Sequence, residues 1–232
     1  LPGDTILLKS GSIWNGEWLW PKGSGTADAP IKIDKYGGDA LPVINGMGID
    51  RGMNYSGAVH LRNQEYWEIR NLEVTNDDDF DVDIDLSRPQ GDNSWSSQAE
   101  TRNGILIIAD GDLLNDGDDG IFDHIYIENC YVHDVDGPND WNDTFTGGII
   151  YNVVGTKIRP NTSFRDIRIA YNTIRKVDLL GITGFVQMAK SGYQDDVDTY
   201  NLWMEDIYIG HNYIEDVAQG GIDLCDARNA VV

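Results

Sequence analysis

The chain has 232 residues, enough for one sizeable domain, and 41% of them are hydrophobic. Its formal net charge is −22, and such an acidic surface repels nucleic acid and anionic membranes. No stretch approaches the roughly 20 apolar residues of a membrane-spanning helix, so we expect neither nucleic acid as a partner nor membrane insertion.

Residues 1–66 are predicted to form the N-terminal turns of a repetitive β-structure. Short strands with alternating apolar residues, each ending in a turn, are predicted within residues 3–11, 30–36 and 42–46. Residues 51–66 are interpreted as a lead-in to the first clear repeat.

Residues 67–232 contain one segment that recurs four times. Its copies begin near Tyr66, His124, Asp166 and Asp206, and each continues to a glycine-led strand. Within each copy the apolar residues alternate with polar ones, which is the period of a strand. Two aligned apolar columns consist of Ile69, Ile127, Ile169 and Ile209, and of Val74, Val132, Ile174 and Ile214.

This repeat predicts an all-β, right-handed parallel β-helix, a solenoid with long loop inserts. A single unit cannot bury its apolar face, but stacked units bury a continuous core. A β-propeller has a similar period, but its tight hairpins would leave two-residue turn signals that the sequence lacks. We expect residues 1–232 to be a single β-helix domain and a piece of a longer chain, continued mainly at the C-terminus.

The two cysteines and the histidines are predicted to be structural. Cys130 and Cys225 lie on different strands of the repeat, so no disulfide is expected between them. The histidines are expected within or beside strands of the repeat, away from the strand stack along which a binding groove is predicted below. They are His60, His124, His133 and His211.

A groove is predicted along one stack of strands. Long polar inserts flank the strands that begin at Gly104, Gly148, Gly181 and Gly221. Inserts of a solenoid gather on one face, and this face is often the binding face. Alternation predicts that Ile105, Ile149, Ile182 and Ile222 point inward. The outward positions are then Leu106, Ile150, Thr183 and Asp223, followed by Ile108, Asn152, Phe185 and Cys225.

Asp223 is the candidate catalytic residue on this stack. It is a carboxylate in mid-strand, where the equivalent residues are Leu, Ile and Thr, and Asp226 follows it with Arg228 nearby. Glycoside hydrolysis needs two carboxylates, about 5 Å apart in retaining enzymes and about 6.5–9.5 Å apart in inverting ones. The partner of Asp223 is predicted to be Asp226 or a residue beyond Val232. An ordinary solvent-facing aspartate is the alternative interpretation.

At these residues the sequence resembles the pectate-lyase-like right-handed β-helix superfamily of bacterial carbohydrate-active proteins. The resemblance is carried by residues 3–11, by the turn at 42–46 and by the Ile-x-Ile-x-x-Asn-x-Ile repeats at 167–174 and 207–214. It implies a secreted or cell-surface protein that engages long polysaccharides in a groove. It also implies catalytic carboxylates on that strand stack, which matches Asp223.

Calcium is the metal that the acidic loops could hold, because calcium prefers clustered oxygen ligands. The candidate ligands do not have EF-hand spacing, and a solvated loop is the alternative. They are Asp110, Asp112, Asp116 and Asp118. No other cofactor is expected.

Aromatic residues of the inserts are candidate sugar-binding residues, because sugar rings stack on aromatic faces. Together with polar residues of the strand stack, they form the predicted substrate-binding set. This set comprises Trp141, Asn152, Thr183, Phe185, Tyr193, Trp203 and Arg228.

Three functions are compatible with these features. The leading hypothesis is a secreted glycoside hydrolase that cuts a plant cell-wall polysaccharide by carboxylate acid/base catalysis. The second is a calcium-dependent polysaccharide lyase, whose unsaturated products would absorb ultraviolet light. The third is a non-catalytic carbohydrate-binding or adhesion solenoid, which would release no product.

Overall fold

A computed structural model describes residues 1–48, 56–77, 102–115, 117–137, 146–155, 162–188 and 203–232, without the side chains of residues 187 and 188. Within these ranges the chain consists of β-strands, turns and one short 3-10 helical turn at Gly111–Leu113. In this part of the chain no helix has the length and apolar character that crossing a membrane would require.

The strands form three sheets, which we name A, B and C. Sheet A contains β1 (Thr5–Lys9), β3 (Ile31–Tyr36), β6 (Trp67–Arg70), β9 (Ile121–Glu128), β12 (Ser163–Ala170), β15 (Met204–Gly210) and β18 (Ala227–Arg228). Sheet B contains β2 (Ile13–Asn15), β4 (Val43–Asn45), β7 (Glu73–Asn76), β10 (Tyr131–Val135), β13 (Thr173–Val177) and β16 (Tyr213–Val217). Sheet C contains β5 (Ser56–Arg62), β8 (Arg102–Asp110), β11 (Gly147–Gly155), β14 (Leu180–Met188) and β17 (Gly220–Leu224).

The chain visits sheets A, B and C in turn and then returns to sheet A, one coil further on. Neighbouring strands in each sheet are parallel, as in the pairs of β9 with β12, β10 with β13 and β11 with β14. In the first coil the place of a sheet C strand is taken by Leu19, which bridges to Val59 of β5. The prediction of a parallel β-helix is confirmed.

The apolar columns of the sequence are the inward-facing ladders of the helix. In sheet A, Ile127 pairs with Ile69 and with Ile169, and all three side chains are buried in one core cluster. The column of Val74 and Val132 forms the matching ladder in sheet B. In sheet C the predicted inward residues Ile105, Ile149, Ile182 and Ile222 are likewise in register. Repeat alignment therefore predicted the residue register of all three sheets.

Residues 51–66 are more than the predicted lead-in. Within them β5 is a full strand of sheet C, paired in register with β8. Every residue from Ser56 to Leu61 is buried, so both faces of this strand are covered.

An asparagine ladder connects successive coils at the corner between sheets A and B. Asn172 accepts the backbone N–H of Cys130 (2.9 Å) and donates its amide N–H to the carbonyl of Ile127 (2.9 Å). One coil further on, Asn212 accepts the N–H of Asn172 (2.9 Å) and donates to the carbonyl of Ile169 (2.9 Å). The chain turns sharply at each corner, and the ladder pairs backbone groups that the turn leaves without strand partners.

At one place in the core a large residue fills the space beside a glycine, which has no side chain. Tyr151 of β11 is fully buried and pairs in register with Gly184 of β14. A Cβ atom at Gly184 would lie 2.0 Å from Cε2 of the Tyr151 ring. The ring therefore occupies the space that any side chain at Gly184 would need.

We expect Gly184→Ala to destabilise the purified protein by about 1–3 kcal/mol or more, because the buried ring cannot move aside without displacing other core residues. Chemical unfolding would measure this loss. Gly221→Ala is the matched control in the next strand, since its new Cβ would have its nearest neighbour at 3.9 Å. Gly184→Ala should cost less in a Tyr151→Val background than in the wild type, and an equal cost in both backgrounds would contradict this account.

Candidate functional site

The outer face of sheet C carries the row of residues in which the candidate carboxylate lies. His60, Leu106 and Ile150 are in register on β5, β8 and β11. The row continues through Thr183 of β14 to Asp223 of β17. Adjacent strands are about 4.8 Å apart, so the row extends about 19 Å from His60 to Asp223. We refer to it as the His60–Asp223 row.

Most of this outer face is buried, whereas the sequence analysis expected an open groove. Thr183 and Asn152 are each 1% exposed and Phe185 is 8% exposed. Leu106 and Ile150 belong to a second hydrophobic cluster, separate from the central core. The physical reason is the composition of β8 and β11, whose residues are mainly apolar on both faces. This composition is typical of a parallel strand that is covered on both faces.

Asp223 of β17 is half-buried. Its carboxylate Oδ1 lies 3.4 Å from the Cys225 thiol, which donates a weak hydrogen bond to it. Its backbone carbonyl accepts the hydroxyl proton of Thr183 at 2.8 Å. Burial, followed by the charge of Asp223, raises the pKa of the Cys225 thiol to about 11. The thiol therefore stays protonated at neutral pH and can keep donating to the carboxylate.

Asp226, the predicted second carboxylate, supports the backbone of the neighbouring coil. Its Oδ2 accepts the N–H of Val186 at 3.0 Å, and its own backbone has a positive φ of 50°. The residue forms the corner at which the chain leaves sheet C, because its carbonyl accepts the N–H of Met204 at the start of β15. This position gives Asp226 a structural task, and its part in catalysis stays a prediction.

Trp203 and Arg228, predicted to bind substrate, contact each other beside sheet A. The guanidinium carbon of Arg228 lies 4.8 Å from the centre of the Trp203 ring. The Trp203 ring is partly buried and packs against the central core. Trp203 and Arg228 thus help to close the core next to β15 and β18, and their contact with substrate stays a prediction.

The remaining predicted site residues separate into two groups. Trp141, Tyr193 and Asp116 lie outside the described residues. Asp110 is buried and forms an ion pair with Arg62, and its Oδ1 accepts the backbone N–H of Asp112. Asp118 accepts hydrogen bonds from the backbone N–H and from the side-chain amide of Asn115. Across the described ranges no group of three or more His, Cys, Asp or Glu side chains could hold a metal ion.

The two cysteines are free thiols, as expected. Cys130 is buried at the corner between sheets A and B, and burial raises its pKa to about 12. The Cys130 thiol is therefore uncharged and structural, while Cys225 lies beside the candidate carboxylate.

His60 is a residue that the sequence analysis placed wrongly. It was expected away from the groove strand, but it stands on β5 at the opposite end of the His60–Asp223 row. Its ring stacks on Trp20 at 4.7 Å with an interplanar angle of 5°, and Trp18 contacts the Trp20 ring edge-on at 4.9 Å. The Lys22 ammonium also lies over the Trp20 ring, 3.2 Å from its centre. The sequence feature that could have indicated this position is the pair Val59 and Leu61. They flank His60 in the same way that Ile105 and Ile107 flank Leu106.

The surroundings of His60 keep its imidazole neutral. The side chain has 0% exposure, and neither ring nitrogen has a hydrogen-bond partner in the described part of the chain. Burial, reinforced by the charges of Arg62 and Lys22, lowers the pKa of His60 from 6.5 to about 3. A proton on this ring would be both buried and close to two cations.

No protein-family model matches the chain. The chain is 28% identical over 276 aligned residues to a lacto-N-biosidase of Bifidobacterium longum subsp. longum, and the match covers 97% of this chain and 17% of that protein. The crystal structure of native GH136 lacto-N-biosidase from Eubacterium ramulus aligns with a TM-score of 0.77 at 24% identity. That alignment covers 100% of this chain and 38% of the solved one.

A more distant structural match is the alginate lyase of Paenibacillus sp. str. FPU-7, with a TM-score of 0.53 at 18% identity. It covers 98% of this chain and 59% of that chain. At these identities the two solved proteins show a shared fold. This chain spans less than two fifths of the length of either lacto-N-biosidase.

The buried imidazole generates a prediction about acid stability. Because the pKa of His60 is lower in the folded chain, the unfolded chain takes up this proton first as the pH falls. The stabilising contribution of neutral His60 is complete above pH 6.5 and is lost progressively as the pH falls towards about 3. We expect the unfolding free energy of the wild type to fall more steeply in this interval than that of His60→Phe, which keeps a ring beside Trp20.

The measurement is chemical unfolding of both proteins between pH 6.5 and pH 4. The slope of the unfolding free energy against pH is compared, rather than its absolute value. One proton corresponds to a slope difference of about 1.4 kcal/mol per pH unit. Parallel curves for the two proteins would refute a neutral buried His60.

Proposed function

We propose that this chain is part of a glycoside hydrolase that cleaves oligosaccharides at a lacto-N-biose unit, with Asp223 as one of its two catalytic carboxylates. The observation that carries this proposal is the position of Asp223, half-buried on the outer face of sheet C beside a protonated thiol. A carboxylate held on a rigid strand is suited to acid/base catalysis, because its geometry is fixed by the sheet.

Charge pairing distinguishes Asp223 from the other acidic residue described on this face. Asp110 is neutralised by Arg62, whereas Asp223 forms no ion pair with any described residue. Its contact with the Cys225 thiol engages Oδ1, and Oδ2 can therefore face a ligand. Such a carboxylate can accept a proton from water or, once protonated, give one to a leaving glycosidic oxygen.

The buried outer face favours a short substrate over a long one. The sequence predicts a plant cell-wall polysaccharide in an open groove, but β8 and β11 offer no open outer face. The similar proteins support the same choice, since both are named as lacto-N-biosidases, a kind of glycoside hydrolase.

Asp223→Asn in the full-length protein should lower kcat by about 10²–10⁴-fold, because the amide cannot exchange the proton that catalysis requires. The substrates are a lacto-N-biose-containing tetrasaccharide, xylan and pectin, with reducing ends and ultraviolet absorbance measured with and without EDTA. Asp39→Asn is the matched control on an exposed loop and should leave kcat unchanged.

Three results would contradict the proposal. Unchanged turnover by Asp223→Asn would remove Asp223 from catalysis. Products that absorb ultraviolet light and vanish with EDTA would indicate a lyase, and binding without any product would indicate a carbohydrate-binding solenoid. Hydrolysis of xylan or pectin in preference to the tetrasaccharide would restore the plant polysaccharide as substrate.

A further inference from the structure

Tyr151 of β11 has a hydroxyl without a hydrogen-bond partner. The side chain is 0% exposed, and its Oη makes no hydrogen bond in the described part of the chain. A buried hydroxyl that is left unpaired is costly, because its hydration is lost and not replaced. Phenylalanine would fill the same space without this cost, so an unpaired phenol in the core calls for an explanation.

Two other tyrosines show how this β-helix pairs a phenol. Tyr126 of sheet A donates to the Asp166 carboxylate at 3.1 Å, and Tyr213 of sheet B donates to that of Glu215. Neither of these two side chains is buried. Tyr151 differs from both, because its hydroxyl is enclosed in the core and supports no other group by a hydrogen bond.

The Tyr151 ring extends from β11 across β14. A Cβ atom at Gly184 would lie 2.1 Å from Cζ, the ring atom that carries the hydroxyl. Gly184 pairs in register with Leu224 of β17, which stands between Asp223 and Cys225 in the sequence. Burial, followed by the charges of Cys225 and Asp223, raises the pKa of Tyr151. The phenol is therefore within electrostatic reach of the candidate carboxylate and of its thiol neighbour.

Cys225 is attached to the same glycine. Its backbone N–H donates to the Gly184 carbonyl at 3.2 Å, and its thiol donates to Oδ1 of Asp223 at 3.4 Å. The Thr183 hydroxyl donates to the backbone carbonyl of Asp223 at 2.8 Å. The backbone of this segment is thus fixed to β14, and the thiol supplies the hydrogen bond that orients the Asp223 carboxylate.

We propose that Cys225 and Tyr151 are positioning residues for the catalytic carboxylate of Asp223. This inference rests on the proposed function and names two groups that support its carboxylate. The Cys225 thiol fixes the orientation of the carboxylate, because it engages Oδ1 and leaves Oδ2 for the substrate. The Tyr151 hydroxyl stabilises the charge of Asp223, because its dipole can turn towards the carboxylate and acts through a medium of low dielectric constant.

Both groups keep their protons, as this role requires. Burial raises the pKa of the Cys225 thiol to about 11 and also raises the pKa of Tyr151. A deprotonated thiol or phenol would instead place a second negative charge near Asp223. A thiol is also a weak donor, so it can orient the carboxylate without neutralising it. Arg62, in contrast, neutralises Asp110 through an ion pair.

The kinetic test uses the full-length protein and the best of the substrates named above. We expect Cys225→Ala to lower kcat by at least about tenfold with little change in KM, because a misdirected carboxylate slows the reaction of a substrate that still binds. Cys225→Ser keeps a donor and should restore most of kcat. Cys130→Ala, which removes a buried thiol at the corner between sheets A and B, is the matched control and should leave kcat unchanged.

Tyr151→Phe removes only the hydroxyl and separates a structural role from a functional one. Because the hydroxyl has no hydrogen bond, its removal should leave the melting temperature unchanged or raise it. We expect kcat to fall at the same time by about threefold or more, because the dipole near Asp223 is lost. Tyr126→Phe, on sheet A, is the matched control and should leave kcat unchanged.

Infrared spectroscopy tests the thiol contact without turnover. The S–H stretching band that Cys225→Ala removes belongs to this thiol. In the Asp223→Asn protein we expect this band to move to higher frequency, because a neutral amide oxygen is a weaker acceptor than a carboxylate. A band that stays at the wild-type frequency would overturn the contact, whatever the protein hydrolyses.

This inference and the proposed function fail in different ways. If Asp223→Asn abolishes turnover while Cys225→Ala and Tyr151→Phe keep the wild-type kcat, the inference is overturned and the hydrolase proposal stands. If Cys225→Ser is as slow as Cys225→Ala, the thiol only fills space, which overturns its positioning role. If Asp223→Asn keeps the wild-type kcat, the proposed function fails, and the inference fails with it.

Discussion

The in-register stacking of successive coils is the constraint on which the rest of this structure depends. Each inward isoleucine or valine lies directly above its equivalent one coil earlier, so one column of side chains fills the core along each sheet. A slip of a single residue would turn every inward side chain outward. The positions of Thr183 and Asp223 on the outer face are therefore set by Ile182 and Ile222, which precede them in the core ladder.

Fold and register could be predicted from the sequence because the repeat is expressed in β-branched residues of sheets A and B, which alternate with polar ones. Sheet C was harder. The sequence from Gly104 to Ala109 is almost continuously apolar, which is typical of a strand that is covered on both faces. Our prediction treated only one of these faces as buried. His60 was misplaced because its strand stands before the first clear repeat.

The candidate site itself was only partly accessible to sequence reasoning. Asp223 could be selected because a carboxylate replaces apolar equivalents in a known column. The use of Asp226 as a corner residue depends on a positive φ that the sequence pattern does not reveal.

The asparagine ladder has a consequence for how such a protein can change in length. Asn172 and Asn212 each connect one coil to the coil before it, by the same pair of hydrogen bonds. A duplicated or deleted coil of about 40 residues would present the same asparagine to the same neighbouring backbone, so the joint would close without new interactions. Evolution can therefore lengthen or shorten this scaffold in whole coils, and each added coil would add one residue to the His60–Asp223 row on sheet C.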